Sequence, residues 1–406
     1  MNRIFVDYQG QRVGTLAEAR AGILFEYDPA FIASGHQLSP LQLPLGPGLH
    51  SRDNPPSMRL HGLFEDSLPD QWGTRVMTEW FTQHGILEHT VTPFMKLAYV
   101  GRRAMGALTY TPEEEITAPP HSVSLADLYT ASARAENDGP IDLNVLAQVG
   151  SSAGGAKPKA LIGIHRSDPK NIIANVVELP DGFEAWIVKF DTSRTGAFAP
   201  MEEAYARMAR AAGITVPETR LLQTTKNGKT RHHFAVKRFD RNGSIRIHHH
   251  TLAAIYQAGA SDLDYNTFLR VTRRVTNDER EVWHAFRRAV FNVLAENRDD
   301  HGKNHGFLYQ NRQWTLSPAY DLTFSGHIAK RGMALLGERG QTGTDHLVKL
   351  AEAVSLNRAE AQTVIAEVAQ TIARWPEFAE SAGVPTIDAA KINRVLRTLF
   401  PTVGSR

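Results

Sequence analysis

The spacing of apolar residues changes once along the chain, and this change strongly limits the possible folds. Between residues 122 and 245 the apolar residues form short runs typical of β-strands, such as NIIANVVEL and EAWIVKF. Beyond residue 245 they recur at helical spacing, interrupted by one strand pair, GFLY and QWTLS. Strands followed by helices predict an α+β protein. The helices predicted in the second half are 249–259, 279–296, 345–354, 356–374 and 386–400.

A third part precedes these two. Residues 1–30 alternate apolar and polar side chains with a period of two, which predicts strands. A Pro- and Gly-rich loop and a helix near 70–84 follow. The stretch 111–121 has three prolines and no apolar period, so we interpret it as a linker. The 406 residues therefore divide into three expected parts, at 1–110, 122–245 and 246–406.

The composition excludes several classes of site. The chain has no cysteine, which excludes disulfide bonds, thiolate metal sites and a cysteine nucleophile. Its 45 basic and 43 acidic side chains give a net charge of +2, unlike domains that coat nucleic acid. The start, MNRIFVDYQGQ, is unlike a signal peptide, and no run approaches the roughly 20 apolar residues of a membrane helix. We expect a cytoplasmic protein without a membrane partner.

A glycine-rich loop between a helix and a strand is the first candidate site. In GSSAGGAKPK, residues 150–159, two serines precede Gly154 and Gly155, and Lys157 and Lys159 follow. Glycines let backbone N–H groups approach an anion closely, and the lysines add positive charge. The loop matches neither GxGxxG nor a Walker A box. Two interpretations therefore stay open, a phosphate cradle and an ordinary flexible turn.

Lys189 ends the apolar strand EAWIVKF and is the second candidate. In protein kinases a lysine on a central strand holds the ATP phosphates and pairs with a glutamate on a helix. Here the segment MEEAYARMARAAG, residues 201–213, is predicted to be a helix and offers Glu202 and Glu203. The alternative is a lysine at the rim of a core, with a buried stem and its ammonium group in water.

The polar segment NRDDHGKNH, residues 297–305, is the third candidate. Each of its residues except Gly302 is charged, His or Asn. A kinase catalytic loop places its base aspartate five residues before a metal-binding asparagine, and Asp299 and Asn304 have this spacing. The spacing also favours Asp299 over the adjacent Asp300 as the base. A solvated polar turn is the alternative.

Asp321, in SPAYDLTFS, follows the strand pair where kinases place a second metal-binding aspartate. Taken alone, it could also be a carboxylate that caps a turn. The order of the signals is more specific than any one of them. A glycine loop, a strand lysine, a helix glutamate, a hinge-like strand end at 236–239, a polar loop, a hairpin and an aspartate follow each other as in a kinase.

With these motifs the chain resembles the HipA family, the toxin kinases of bacterial type II toxin–antitoxin modules. The resemblance spans nearly the whole chain and rests on SSAGGAKPKALI, WIVKFD, VKRFDR, NRDDHGKNHGF and LSPAYDL. VGTLAE, LPLGPG and LFEDSLPDQWG resemble the family's N-terminal subdomain. The resemblance implies a bilobal protein-kinase-like fold, with a strand-rich N-lobe, a helical C-lobe and a small β-rich N-terminal subdomain.

The resemblance also implies an ATP- and Mg²⁺-dependent serine/threonine protein kinase, with roles carried over by position. Asp299 is then the catalytic base, Lys189 binds phosphates, and Asn304 and Asp321 hold Mg²⁺. The remaining nucleotide-binding residues are those of the glycine loop, the hinge and the site lining: Ser152, Ala153, Gly154, Gly155, Ala156, Lys157, Lys159, Lys237, Arg238, Phe239, His301, Lys303 and Tyr320.

Regulation and partners are implied in the same way. Ser152 matches the loop serine that family members autophosphorylate, which ejects the loop and switches the enzyme off; the adjacent Ser151 could substitute. The family's target type is an aminoacyl-tRNA synthetase, whose modification halts translation and arrests growth. The antitoxin is a small helix-turn-helix, HipB-like protein, so we expect operator DNA to be reached only through it.

One segment departs from the family, and three other functions share the site residues. HHHT, residues 248–251, stands where relatives often carry a carboxylate; because strand neighbours point to opposite faces, we expect a solvated strand end or an active-site rim. A phosphotransferase for small molecules would share every motif. An inactive kinase fold acting as a binding subunit is opposed by the intact motif residues. A metal hydrolase would use Asp299, Asp300, His301 and His305.

Overall fold

The computed structural model describes residues 3–19, 22–51, 60–114, 121–137, 139–147, 149, 155–174, 177–226 and 228–399. In the described residues a five-stranded sheet comes first, a six-stranded sheet follows, and the rest of the chain is mainly helical. The predicted α+β class is therefore confirmed. Within the same residues, every helix is too short or too polar to cross a membrane.

The first sheet is antiparallel and is built from strands with one buried face. Ile4, Val6 and Tyr8 are buried while the residues between them are more exposed, which confirms the predicted period of two. Gln9 and Gly10 both have positive φ and form the tight turn between the first two strands. The strands are β1 (Arg3–Tyr8), β2 (Gln11–Ala19), β3 (Gly22–Tyr27), β4 (Leu49–His50) and β5 (Leu108–Thr111), in the order β4-β3-β2-β1-β5.

The helices that accompany this sheet are α1 (Pro29–Ser34), α2 (Gly62–Glu65), α3 (Gln71–Gln83) and α4 (Pro93–Val100). Helix α3 lies where the sequence predicts it, and Trp72, Val76 and Trp80 are buried along it. Trp72 and Val76 pack into the core of the second sheet, against residues such as Ile162 and Trp186. The first part of the chain is therefore joined to the second through a shared apolar core.

The second sheet is also antiparallel, and two of its central strands place lysines side by side. Its strands are β6 (His121–Ser122), β7 (Lys159–His165), β8 (Ile172–Ala174), β9 (Phe183–Lys189), β10 (Thr219–Lys226) and β11 (Lys229–Lys237), in the order β10-β11-β9-β7-β8-β6. The pairing of β7 with β9 puts Lys159 opposite Lys189. The associated helices are α5 (Leu125–Glu136), α6 (Leu143–Leu146) and α7 (Phe198–Ala211).

The remaining part contains two small sheets and a group of packed helices. The strands are β12 (Arg241–Asn242) and β13 (Ile245–Arg246), which pair with each other, and β14 (His248–Thr251), β15 (Gly306–Gln310) and β16 (Gln313–Leu316). The helices are α8 (Leu252–Tyr256), α9 (Tyr265–Thr276), α10 (Glu279–Leu294), α11 (Thr344–Ala353), α12 (Arg358–Ala373), α13 (Trp375–Ala382) and α14 (Thr386–Leu399). The predictions for α10, α11, α12 and α14 are confirmed within a few residues.

The predicted helix at 249–259 is largely wrong. Residues 248–251 pair with β15 as a strand, and the helix covers only Leu252–Tyr256. The expectation of a solvated strand end for the histidines is also wrong, because His248 and His250 are buried. The alternation of faces does hold, since His249 points to the other side and contacts Phe239.

Candidate active site

Lys189 lies at the end of β9 and joins two acidic side chains that are far apart in sequence. Its Nζ donates to Glu202 Oε2 at 2.7 Å and to a carboxylate oxygen of Asp321. Burial alone would lower the pKa of Lys189, but the two carboxylates outweigh it and raise that pKa. The lysine therefore stays charged and is held between α7 and the segment that carries Asp321.

The structure distinguishes the two candidate glutamates. Glu202 faces Lys189, whereas Glu203 pairs with Arg207 at 2.7 Å on the same helix. Asp191, two residues after the lysine, sets the start of this helix, because its Oδ2 accepts the N–H of Ala199 at 3.0 Å. Sequence reasoning does not single out Asp191. The available signal is a carboxylate two residues after a strand lysine.

Lys159 lies beside Lys189 and is buried. Burial and the neighbouring Lys189 ammonium lower the pKa of Lys159 to about 8. Gly155 has a φ of +103°, and a Cβ added there would come within 2.7 Å of Lys159 Nζ. This position therefore suits glycine. Two ammonium groups thus lie close to the carboxylate of Asp321.

Asp321 is held as an anion in a strained backbone conformation. Burial alone would raise its pKa, but Lys189 and Lys159 outweigh burial and lower the pKa to about 2. Its φ is +58°, a left-handed conformation that is unfavourable for residues other than glycine. Strain of this kind persists where the surrounding contacts fix a side chain in one place. The carboxylate is therefore ionised at neutral pH and fixed in direction.

The two adjacent aspartates of the polar loop lie in opposite environments. Asp300 is fully buried, and its carboxylate accepts hydrogen bonds from the Tyr265 hydroxyl at 2.5 Å, Arg331 Nη1 at 2.8 Å and the Gly332 N–H at 2.8 Å. Asp299, in contrast, has 54% of its side chain exposed. Asp300 therefore anchors the loop, and Asp299 is the aspartate that a substrate can reach.

Ser325 fixes the backbone around Asp299. Its hydroxyl oxygen accepts the N–H of Arg298 at 2.6 Å and that of Asp299 at 3.0 Å. Asn304 Nδ2 donates to the Asp299 carbonyl at 2.7 Å, which leaves the amide oxygen of Asn304 for another partner. The two residues predicted from their spacing therefore meet in one turn. Ser325 carries no local sequence signal, since serine is common in such loops.

The other predicted loop residues lie at the same place. His301 Nε2 is 3.8 Å from Asp299 Oδ1. The Tyr320 hydroxyl donates to the Lys303 carbonyl at 2.8 Å, which ties the segment before Asp321 to the polar loop. The Lys303 ammonium lies 2.5 Å from Asp70 Oδ1. Asp70 comes from the first part of the chain, and sequence reasoning does not place it at this site.

The end of β11 contributes one aromatic residue to the site. The Phe239 ring lies 5.3 Å from the His249 ring and 5.6 Å from the Tyr320 ring. His249 also lies near the Tyr320 ring, so the active-site rim, the other expectation for the histidine segment, stays a prediction that fits this position. The three rings together form an apolar patch beside the polar loop.

The other two hinge residues are engaged in ion pairs. Arg238 is buried and makes two hydrogen bonds to Asp240, at 2.9 and 2.7 Å, so its side chain is not available to a nucleotide. Lys237 Nζ lies 2.6 Å from Glu184 Oε1. Any contact of Arg238 with a ligand would therefore come from its backbone.

The described residues include only the second half of the predicted glycine loop. Ser152, Ala153 and Gly154 lie outside the described residues. Ala156 and Lys157 are exposed, and Lys157 Nζ lies 4.5 Å from the centre of the Phe198 ring. Of the two predicted loop lysines, Lys159 is the one next to Lys189 and Asp321.

The polar loop does not have the geometry of a metal hydrolase. His305 packs on Phe268 with ring centres 4.4 Å apart, and burial lowers the pKa of His305 to about 3. The Asp300 carboxylate is bound to Arg331. In the described part of the chain, no three side chains of His, Asp or Glu gather as metal ligands. This arrangement argues against the hydrolase alternative.

The donors at the site fit Mg²⁺. Asp321 offers an ionised carboxylate, and Asn304 offers an amide oxygen. Mg²⁺ is held through one or two carboxylates, water and substrate phosphates, so few protein ligands are needed. A nucleotide and two protein oxygens are therefore a suitable ligand set for this cation.

A strand lysine paired with a helix glutamate, next to a loop with an aspartate–asparagine turn in a helical part, defines a two-lobed, kinase-like fold. The solved "Shewanella oneidensis MR-1 Toxin Antitoxin System HipA, HipB and its operator DNA complex" contains a chain with this fold. The TM-score is 0.71 at 16% sequence identity, covering 98% of this chain and 95% of that chain.

Two family models match the sequence. The HipA N-terminal domain model matches residues 4–111, and the HipA-like C-terminal domain model matches residues 151–375. The chain therefore belongs to the HipA family. Among curated proteins, "Putative kinase Y4dM" of Sinorhizobium fredii is 29% identical over an aligned stretch of 239 residues that covers 54% of this chain. The match spans 57% of the length of that relative.

Proposed function

We propose that the chain is an ATP- and Mg²⁺-dependent serine/threonine protein kinase. The proposal is carried by one arrangement, the Lys189–Glu202–Asp321 cluster next to a loop that exposes Asp299. In kinases these parts hold the phosphates and the metal and accept the hydroxyl proton of the substrate. Membership of the HipA family and the name of the Sinorhizobium relative support a kinase.

In the proposed reaction the protein binds the reactants, orients them and moves one proton. Lys189 and Lys159 hold the phosphates. Asp299 accepts the proton of the substrate hydroxyl. At the same time the hydroxyl oxygen bonds to the γ-phosphorus, and the bond from that phosphorus to the ADP oxygen breaks. Mg²⁺ bound by Asn304 and Asp321 would neutralise phosphate charge. The hinge Lys237, Arg238 and Phe239 would hold the adenine, and His301, Lys303 and Tyr320 would line the site.

We also propose functional boundaries at 1–110, 122–245 and 246–406. Nearly all of the five-stranded sheet falls within the first range, and nearly all of the six-stranded sheet falls within the second. The ranges would correspond to an N-terminal subdomain, a kinase N-lobe with the glycine loop, and a helical C-lobe with the catalytic loop.

We propose further that this kinase is the toxin of a toxin–antitoxin module. The Shewanella HipA was solved together with HipB and operator DNA, which supports a HipB-like helix-turn-helix partner. A net charge of +2 fits a chain that reaches DNA through such a partner. Its substrate would be a translation protein such as an aminoacyl-tRNA synthetase, whose phosphorylation would arrest growth.

Radiolabelled ATP offers the direct test of the chemistry. The purified chain is incubated with Mg²⁺, γ-labelled ATP and either lysate proteins or lysate metabolites. We expect label on serine or threonine of a protein, and phosphoproteomics after brief expression should identify it. Label in a metabolite alone would favour a small-molecule phosphotransferase. A chain that does not bind ATP with Mg²⁺ in a thermal-shift experiment would favour the inactive kinase fold.

Ser152→Ala should prevent autophosphorylation and leave ATP binding intact. The change removes the acceptor hydroxyl but neither the loop glycines nor Lys159. Phosphopeptide mapping after incubation with ATP checks the first part, and calorimetric titration with ATP checks the second. Ser151→Ala is the matched control and should leave the modification in place. A phosphopeptide that persists in the Ser152 variant would reject this assignment.

Nucleotide affinity should fall as the pH rises through about 8. Lys159, whose pKa is lowered to about 8, is charged below that pH and neutral above it, and phosphate binding favours the charged form. If only the charged form binds, the apparent Kd of ATP rises about tenfold between pH 7 and pH 9. Titrations across this range should show that dependence in Lys157→Met and not in Lys159→Met. A pH-independent Kd in the unchanged protein would contradict the prediction.

A further inference from the structure

The segment LFEDSLPDQWG, residues 63–73, reaches the site from the first part of the chain. It runs from α2 into the first turn of α3. Two of its carboxylates, Asp66 and Asp70, bond to groups in the other parts of the protein. The proposed reaction does not use either of them, so their contacts need another explanation.

Asp66 anchors this segment on the helical part. Its carboxylate accepts hydrogen bonds from His250 Nδ1, the Thr251 N–H and the Thr251 hydroxyl, each at 2.7 Å. Thr251 also caps α8. Shortly after α8, the carbonyl of Ala260 accepts the N–H of Gly302 in the polar loop at 2.7 Å. Asp66 therefore fixes the segment to the structure that supports the loop carrying Asp299.

Asp70 contacts the site itself. Its Oδ1 lies 2.5 Å from Lys303 Nζ, and its Oδ2 accepts the N–H of Gly155 at 3.1 Å. Lys303 directly precedes Asn304 in the polar loop, and Gly155 belongs to the glycine loop. One carboxylate from the first part therefore joins the two loops between which a nucleotide's phosphates would lie.

Trp72 also forms hydrogen bonds to the glycine loop. Its backbone N–H donates to the Gly155 carbonyl at 3.4 Å, and its indole N–H donates to the Lys159 carbonyl at 3.1 Å. Its ring is buried in the core beneath the six-stranded sheet, with Trp186 among its members. Because both peptide groups of Gly155 are bonded to residues 70–72, the first turn of α3 determines where this end of the loop lies.

We propose that Asp70 is a positioning residue for phosphotransfer, which holds the Lys303 ammonium and the end of the glycine loop at a set distance from each other. The proposal rests on the kinase function proposed above. A lysine side chain has four methylene groups and many conformations. An ion pair with Asp70 would select the conformation in which the Lys303 ammonium can also contact a phosphate. The first part of the chain would then belong to the catalytic unit.

Asp70→Asn separates the two contacts. Asparagine keeps an oxygen that can accept the Gly155 N–H but removes the negative charge beside Lys303. We expect kcat to fall about tenfold with a nearly unchanged KM for ATP, since a misplaced Lys303 stabilises the transition state less. Asp70→Ala removes both contacts and should also raise KM. Asp7→Asn is the matched control: it breaks a 2.7 Å ion pair with Arg12 within the first sheet and should change neither constant.

A double-mutant cycle with Lys303→Met decides whether Asp70 acts through the lysine. In that background Asp70→Asn should have no further effect on kcat. An equal loss in both backgrounds, or no loss in either, would overturn the proposal. Amide hydrogen exchange without nucleotide gives a readout that needs no activity, and Asp70→Ala should speed exchange at Gly155. If the unchanged chain transfers no phosphate, the proposed function fails. Unaltered exchange at Gly155 in Asp70→Ala would separately show that Asp70 does not hold the loop.

Discussion

Asp299→Asn is expected to lower kcat for phosphotransfer by about 10²- to 10⁴-fold, the usual contribution of a general base. The amide has nearly the same shape as the carboxylate but cannot take the proton of the substrate hydroxyl. The fold should be unaffected, because 54% of the Asp299 side chain is exposed and its Oδ1 is 3.8 Å from His301 Nε2, beyond hydrogen-bond distance. The free energy of unfolding should change by less than about 0.5 kcal/mol.

The test of this prediction compares initial rates of label transfer at saturating ATP with unfolding curves in urea. Asp345→Asn is the control, since it changes an exposed aspartate on α11, far from the polar loop in sequence. It should leave both the rate and the stability unchanged. Transfer at the original rate in Asp299→Asn would remove Asp299 from the mechanism. A loss of rate together with a loss of stability would show that the aspartate acts on the fold.

The sequence predicts best those elements whose pattern is local. Helices α10, α11, α12 and α14 follow from apolar spacing alone. Helices α11 and α12 bury one face, and the second half of α10 is buried on all sides. For residues 248–251 the sequence supports both a strand end and the start of a helix, because three histidines have no apolar period, and pairing with β15 makes them extended. The sequence does not predict helix α9, although the buried face of this helix is regular. Its apolar stripe is short, and the arginines and threonines between the apolar residues make the period difficult to recognise.

The candidate site shows the same division. The spacing of Asp299 and Asn304 is local, and the structure brings the two residues into one turn. The order of the motifs assigns Lys189 and Asp321 to one site, but the direct contact between them is seen only in the structure. Asp70 leaves no signal, because its partners Lys303 and Gly155 are distant in sequence and a carboxylate before a helix is common as a cap.

Asp300→Ala, one residue beyond the proposed base, is expected to act on stability instead. We expect it to lower the free energy of unfolding by about 3–5 kcal/mol, the cost of leaving a buried charge without its partner. The Arg331 guanidinium is fully buried and lies 2.8 Å from Asp300. The Tyr265 hydroxyl and the Gly332 N–H would lose their acceptor as well. The loss would be a large part of the stability of an ordinary domain.

Equilibrium unfolding in urea measures this loss, and Glu352→Ala is the control. Glu352 pairs with Arg358 at 2.6 Å, but both side chains are largely exposed, so the change should cost less than about 1 kcal/mol. Equal losses in the two variants would contradict the distinction between a buried and an exposed ion pair. Near-native stability in Asp300→Ala would show that the buried network does not support the loop.

The combination of Asp300→Ala with Arg331→Met tests the physical reason for the loss. If the unpaired guanidinium is the main cost, replacing it with an apolar side chain should recover part of the stability, although the contacts of Asp300 with Tyr265, Gly332 and Met333 remain lost. A double variant that is less stable than Asp300→Ala alone would instead assign the cost to packing. Recovered stability should also restore phosphotransfer per folded molecule, because Asp299, the proposed proton acceptor, is still present. Asp300 would then contribute to the reaction only by holding the loop in which Asp299 lies.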